Sequence, residues 1–129
     1  MYRYKNIFLV EDDADDTEFF KEVIKDLNNG LSCTTAWNGI EGLQKLTSGY
    51  LPDLIFTDIN MPLMNGMQFL EKLNRERRFS HIPKIMLTTS VSPMDKKLAA
   101  ELGAAKYIVK PADFLSLRNT IHEVLTQVH

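Results

Sequence analysis

Short apolar runs and segments of helical period alternate along the whole chain. Residues 6–10 (Asn-Ile-Phe-Leu-Val) are too short and too β-branched for a helix, and read as a strand buried on both faces. From 14 to 27 the apolar positions Phe19, Phe20, Val23, Ile24 and Leu27 return every three or four residues, as on one face of a helix. Asn28-Asn29-Gly30 stops that helix. Further strands are predicted at 31–36, 53–57, 84–88 and 106–109. Further helices are predicted from Gly39, with Ile40, Leu43 and Leu46 inward, and over 67–78, with Phe69, Leu70 and Leu73 inward. Another runs from Ser92-Pro93 to a stop at Gly103, with Leu98, Ala99 and Leu102 inward. Its start has Ser at the cap, Pro at the first helical position and Asp95 at the third. The last helix spans 112–128 on a stripe of Phe114, Leu117, Ile121, Val124, Leu125 and Val128. The segment 60–66, with Pro62, Asn65 and Gly66, is loop.

Five β-α units in series imply an α/β fold: a five-stranded parallel sheet with five helices on its two faces. The common order for such a sheet is 2-1-3-4-5, the flavodoxin-like three-layer α/β/α sandwich. Ligands there bind at the carboxyl ends of the strands, at the switch point between strands one and three. The strand ends are therefore where chemistry is sought.

Composition narrows the classes. A length of 129 residues fits one domain, 1–129, with no output domain expected. No apolar run approaches the ~20 residues of a membrane span, and 7–10 is too short for a signal-peptide core, so a cytoplasmic location is expected. A net charge of −2 gives no overall attraction to nucleic acid or anionic membrane, and neither is expected as a partner. The single cysteine, Cys33, excludes an intramolecular disulfide and a cysteine-based zinc site. The near-neutral total hides a local imbalance. Six of the 17 acidic residues fall between Glu11 and Glu18, with no base among them.

The residues that follow each apolar run form a coherent set. Strand one ends in Glu11-Asp12-Asp13, strand three in Asp58, strand four in Thr88-Thr89-Ser90 and strand five in Lys110-Pro111. Neighbouring strands lie ~4.8 Å apart, so carboxylates ending strands one and three can share one cation, and a lysine two strands away can reach across. Clustered carboxylates repel one another, and one lysine does not balance three. All candidate ligands are oxygens, which favours Mg2+, with Mn2+ possible, over zinc. An aspartate kept ionised beside such a cation can act as a nucleophile toward a phosphoryl group, with Lys110 and Thr88 binding the transferred oxygens. Asp15, Asp16 and Glu18 read instead as ordinary helix-start charges that favour the N-terminal dipole. Asp13 is expected to face outward. Trp37 reads as core or edge packing, and His81, His122 and His129 receive no role.

Together these residues resemble the receiver domain of two-component response regulators, of the stand-alone chemotaxis-regulator type. The resemblance is carried by Ile-Phe-Leu-Val-Glu-Asp-Asp (7–13), Pro-Asp-Leu-Ile-Phe-Thr-Asp-Ile-Asn-Met-Pro (52–62) with Asn65-Gly66, Ile-Pro-Lys-Ile-Met-Leu-Thr (82–88) and Tyr-Ile-Val-Lys-Pro (107–111). The strand order above is also that of this family, so it is not separate support. The resemblance implies that Asp58 is the phosphoacceptor. It implies metal ligation by Asp12 and Asp58, by Glu11 through water, and by the backbone carbonyl of Asn60. Thr88 would be the switch hydroxyl, Lys110 the ionic partner of the phosphoryl group and Tyr107 the aromatic switch residue. The Lys110–Pro111 peptide bond is expected to be cis. Thr89 stands where a smaller residue is commoner; with Asn60 it occupies a position that tunes phosphoryl lifetime in the family.

The implied function is that of a single-domain response regulator. It accepts a phosphoryl group from a sensor histidine kinase or histidine phosphotransfer protein. It then changes the face made by the fourth helix, fifth strand and fifth helix toward a separate downstream protein. Such a protein promotes its own phosphorylation and dephosphorylation without being a turnover enzyme. A phosphorelay carrier is the near alternative. A Mg-dependent phosphatase of haloacid-dehalogenase type needs a general acid two residues after the nucleophile, where this chain has Asn60. A flavodoxin-like electron carrier would place a phosphate against Glu11-Asp12-Asp13, and a calcium loop over 11–22 would have Asp16 in place of its central glycine.

Overall fold

The computed structural model describes residues 2–127. The elements in chain order are β1 (Asn6–Val10), α1 (Ala14–Leu27), β2 (Ser32–Ala36), α2 (Gly39–Thr47), β3 (Leu54–Thr57), α3 (Gly66–Arg75), α4 (Arg77–Ser80), β4 (Lys84–Thr88), α5 (Pro93–Glu101), β5 (Lys106–Val109) and α6 (Phe114–Thr126). All strand pairs are parallel, and the sheet order is β2-β1-β3-β4-β5, as expected.

The pleat of β1 sorts the core into two halves. Ile7 and Leu9 point to one face, where Phe20, Val23, Ile24, Leu117 and Ile121 of α1 and α6 cover them. Phe8 and Val10 point to the other, against Leu46, Phe69, Leu73 and Phe79 from α2, α3 and α4. The three central strands are almost wholly inaccessible, as runs of consecutive apolar residues require.

Every helix of eight residues or more starts on a side-chain cap. Asp13, Asn38, Asn65, Ser92 and Asp113 each accept the amide of the residue three positions on. Each such cap is worth about 1 kcal/mol. Asn65 and Gln68 form a reciprocal capping box.

The structure corrects several expectations. The helix expected over 67–78 is two helices, six among the described residues rather than five, because Glu76 is extended (φ −107°, ψ 127°) and lets α4 turn Phe79 into the core at 1% exposure. Strand β2 begins at Ser32 rather than Leu31, and β3 at Leu54, since Asp53 turns its carboxylate to the amides of Lys5 and Asn6. Helix α6 begins at Phe114 because Asp113 caps it; Val128 and His129 lie outside the described residues. Ile40 and Leu98, expected inward, are exposed, as is Trp37, expected in packing. Helix α5 buries only Ala99. Among the described residues no helix is long and apolar enough to cross a membrane.

Candidate functional site

Register builds the site. Val10 lies opposite Thr57 across the β1–β3 pair, so the next residues, Glu11 and Asp58, leave the sheet side by side. The Asp58 amide still donates to Val10 O at 3.1 Å, and the Glu11 amide to Ala36 O at 2.9 Å. On the other flank Thr88 lies opposite Val109, and the Lys110 amide donates to Thr88 O at 2.7 Å. The strand ends thus carry Glu11, Asp58, Thr88 and Lys110 along one edge.

Glycine at 66 is what lets α3 start against this edge. A Cβ there would sit 2.0 Å from the Asp58 carbonyl oxygen. Instead the Gly66 amide donates to Ile59 O at 2.8 Å. Between them the loop carries Leu63 at φ +67°, and the Met64 amide donates to Pro62 O at 2.7 Å. A leucine in the left-handed region stores about 1–3 kcal/mol of strain, and here its side chain gains no burial in exchange.

Asp58 is 7% exposed and Glu11 3%, while Asp12 is exposed. One oxygen from each of these three carboxylates lies within 4.8 Å of the others. Asp58 is oriented at both oxygens: Oδ1 accepts the Ile59 amide at 2.7 Å, and Oδ2 faces Lys110 Nζ at 3.0 Å. Lys110 Nζ also lies 2.6 Å from Glu11 Oε1 and 2.7 Å from Asp16 Oδ2. Burial pushes the Glu11 carboxyl up to about 7 and the nearby Asp58 charge adds to the rise, although Lys110 pulls it down. Burial also opposes the Lys110 charge, but Asp16, Glu11 and Asp58 outweigh it and hold the ammonium above its usual value.

Thr88 is fully buried at the end of β4, and Thr89 beside it is exposed. Thr88 Oγ1 accepts the Ser90 amide at 3.3 Å. Tyr107 donates its phenol to Ser90 O at 2.9 Å, and Ser90 Oγ donates to Asp95 Oδ2 at 2.6 Å.

Two expectations fail here. The Lys110–Pro111 bond is trans, since the described residues contain no cis peptide bond. Trans is the lower-energy isomer of such a bond by about 0.5–1 kcal/mol, and from it Lys110 already reaches its three carboxylates. Asp16 is not merely a helix-start charge, because its carboxylate grips Lys110. It stands in the first turn of α1, where acidic residues are ordinary, and only the reach of Lys110 gives it a further role. Asp13 behaves as expected, exposed and capping α1 through the Asp16 amide at 2.9 Å.

A family model described as the response regulator receiver domain matches residues 7–122. The chain belongs to this family. As a receiver it is 32% identical over 115 residues to chemotaxis protein CheY1 of Helicobacter pylori, covering 87% of this chain and 93% of that one. It is 33% identical over 106 residues to the sensor histidine kinase CheAY of the same species, covering 81% of this chain but 13% of that protein. The receiver superposes on the phosphorylated cyanobacterial phytochrome response regulator RcpA with a TM-score of 0.86 at 27% identity, covering 94% of this chain and 91% of the other. Receivers are components of two-component signalling, and a phosphorylation-switched function fits this one.

Proposed function

We propose that the chain is a phosphorylation-controlled switch that receives a phosphoryl group on Asp58. The observation that carries this reading is the pairing, around one buried aspartate, of a three-carboxylate cluster and a lysine ammonium. The aspartate oxygen attacks phosphorus of a phosphohistidine on a sensor kinase or phosphotransfer protein. The new O–P bond forms as the P–N bond breaks, and the imidazole leaves with the electron pair. Lys110 faces the incoming oxygens and offsets their charge. Thr88 supplies a hydroxyl from the adjacent strand end.

The donor set fits a hard divalent cation, Mg2+ or Mn2+: every candidate ligand is an oxygen, and three carboxylates converge within 4.8 Å of one another. Asp12, Asp58 and the Asn60 carbonyl would hold the ion directly, with Glu11 through water. Bound there it would supply charge neutralisation for the phosphoryl oxygens. Readout would pass through Thr88, Ser90 and Tyr107 to the face of α5, β5 and α6, where Val91, Met94, Val109 and Leu115 are exposed to a protein target. The chain would promote its own phosphorylation and dephosphorylation without turning over an external substrate.

The test is incubation with Mg2+ and acetyl phosphate, followed by intact-mass measurement. Wild type should gain one phosphoryl group that hydroxylamine removes, and Asp58→Ala should gain none. No adduct on wild type, or an undiminished adduct on the variant, would overturn the assignment.

A further inference from the structure

Lys110 holds more acids than a phosphoryl partner needs. Its ammonium has three N–H donors, and the structure gives it three carboxylates, at 2.6 Å (Glu11), 2.7 Å (Asp16) and 3.0 Å (Asp58). Two of them, Glu11 and Asp58, also belong to the carboxylate cluster that fits a divalent cation. Asp16 does not. It stands in the first turn of α1, its own amide fixed by Asp13, and its side chain is 43% exposed against 10% for Asp58 and 3% for Glu11.

A cation entering the cluster draws on oxygens that Lys110 already uses and repels the ammonium directly. With Glu11 and Asp58 as its only partners, Lys110 would face two poor outcomes. It could keep those acids and weaken cation binding, or release them and remain a largely buried charge without a partner, which is strongly unfavourable. A third carboxylate outside the cluster removes the conflict. With Asp12 of the cluster added to Glu11, Asp16 and Asp58, the site holds four carboxylates against one ammonium, which leaves negative charge for a dication.

On the receiver reading above, we propose that Asp16 is a positioning residue: it retains the Lys110 ammonium at the site while a divalent cation occupies Glu11, Asp12 and Asp58. Lysine and cation are then present together when the phosphoryl group arrives, instead of excluding one another. Asp16 touches neither the cation nor the phosphoryl group, and it acts through Lys110.

The test is a double-mutant cycle on Mn2+ affinity, read by electron paramagnetic resonance of the free ion, with wild type, Asp16→Asn, Lys110→Met and the double variant. Asparagine keeps the shape and removes the charge. Removing that charge lowers cation affinity by the same electrostatic factor in either background. Only the Lys110-containing pair should show an additional weakening, at least threefold, from Lys110 competing for Glu11 and Asp58. An equal factor in both backgrounds, or no loss at all, would overturn the proposal. A second readout is the 1H–15N signal of the Lys110 ammonium at saturating Mg2+. It should persist in wild type and broaden away in Asp16→Asn; loss in wild type, or persistence in both, would overturn it. A wild type that binds no Mn2+ would overturn the proposed metal-assisted phosphorylation at Asp58 as well, whereas binding without coupling overturns the Asp16 role alone.

Discussion

Tyr107 donates its phenol to the carbonyl of Ser90 at 2.9 Å, and the amide of that same Ser90 donates to Thr88 Oγ1 at 3.3 Å. The proposed switch hydroxyl and the proposed switch aromatic are therefore tied to one residue of the β4–α5 connection. A shift of Thr88 toward Asp58 draws its hydroxyl away from the Ser90 amide, and Tyr107 registers the change through the carbonyl.

This arrangement separates the two adjacent threonines. Thr88→Ala should leave phosphorylation of Asp58 by acetyl phosphate in place but uncouple it from Tyr107, followed by 19F NMR of fluorotyrosine-labelled protein. Thr89→Ala, at an exposed position, should preserve the phosphorylation-dependent change. The opposite pattern would assign the switch to Thr89.

Gly66 gives a prediction of a different kind. An alanine methyl would fall 2.0 Å from Asp58 O and 2.9 Å from Ile59 Cα, both backbone atoms that cannot swing aside. Gly66→Ala should destabilise the fold by about 3 kcal/mol, the upper end of ordinary overpacking, and slow phosphoryl incorporation by displacing the Asp58 peptide. Urea unfolding and intact mass report the two effects. Unchanged stability would mean that α3 can retreat from the strand end.

The sheet was legible in sequence because a doubly covered strand leaves an unmistakable apolar run; β1, β4 and β5 occupy the expected residues. What escaped depends on tertiary closure. The break at Glu76 has no glycine or proline to mark it; Phe79 lies off the stripe of Phe69, Leu70 and Leu73, and the burial of that ring against them requires the bend. Ile40 and Leu98 obey helical spacing yet lie at the margins of their helices' buried faces, where a stripe does not say how far the neighbouring layer extends. At the site, the strand-end residues came together as expected because register alone aligns them. From sequence Asp16 reads as a solvated helix-start charge, because the reach of Lys110 over β4 depends on side-chain conformation, which no local pattern encodes.

Lys84 shows a further cost that sequence concealed. It opens β4 at 1% exposure, with no ion-pair partner among the described residues. Its ammonium donates to Asn74 Oδ1 at 2.7 Å, Phe79 O at 2.6 Å and Ser80 O at 3.2 Å. Burial pulls its pKa down to about 8 from the usual 10.5. Below about 8 both folded and unfolded chains carry the proton, and the full desolvation cost is present. Between about 8 and 10.5 the unfolded chain holds more protons, so this group makes stability rise with pH. Burial of Cys33 raises its thiol to about 11, which acts in the opposite sense above pH 9. The comparison is therefore a difference: the stability of wild type relative to Lys84→Met should increase from pH 8 to 10 in urea titrations, because Cys33 is common to both. Parallel profiles would refute the assignment.

Helix α5 is fastened to the sheet very differently from α1. The latter sinks Thr17, Phe20, Val23, Ile24 and Leu27 into the interior, whereas α5 sinks Ala99. One buried methyl is worth about 0.8 kcal/mol. That is comparable with the roughly 1 kcal/mol of a single rearranged hydrogen bond in the connection that precedes it. A helix seated so shallowly costs far less to shift than α1, so the energy of one hydrogen bond in its leading connection is on the scale of its seating.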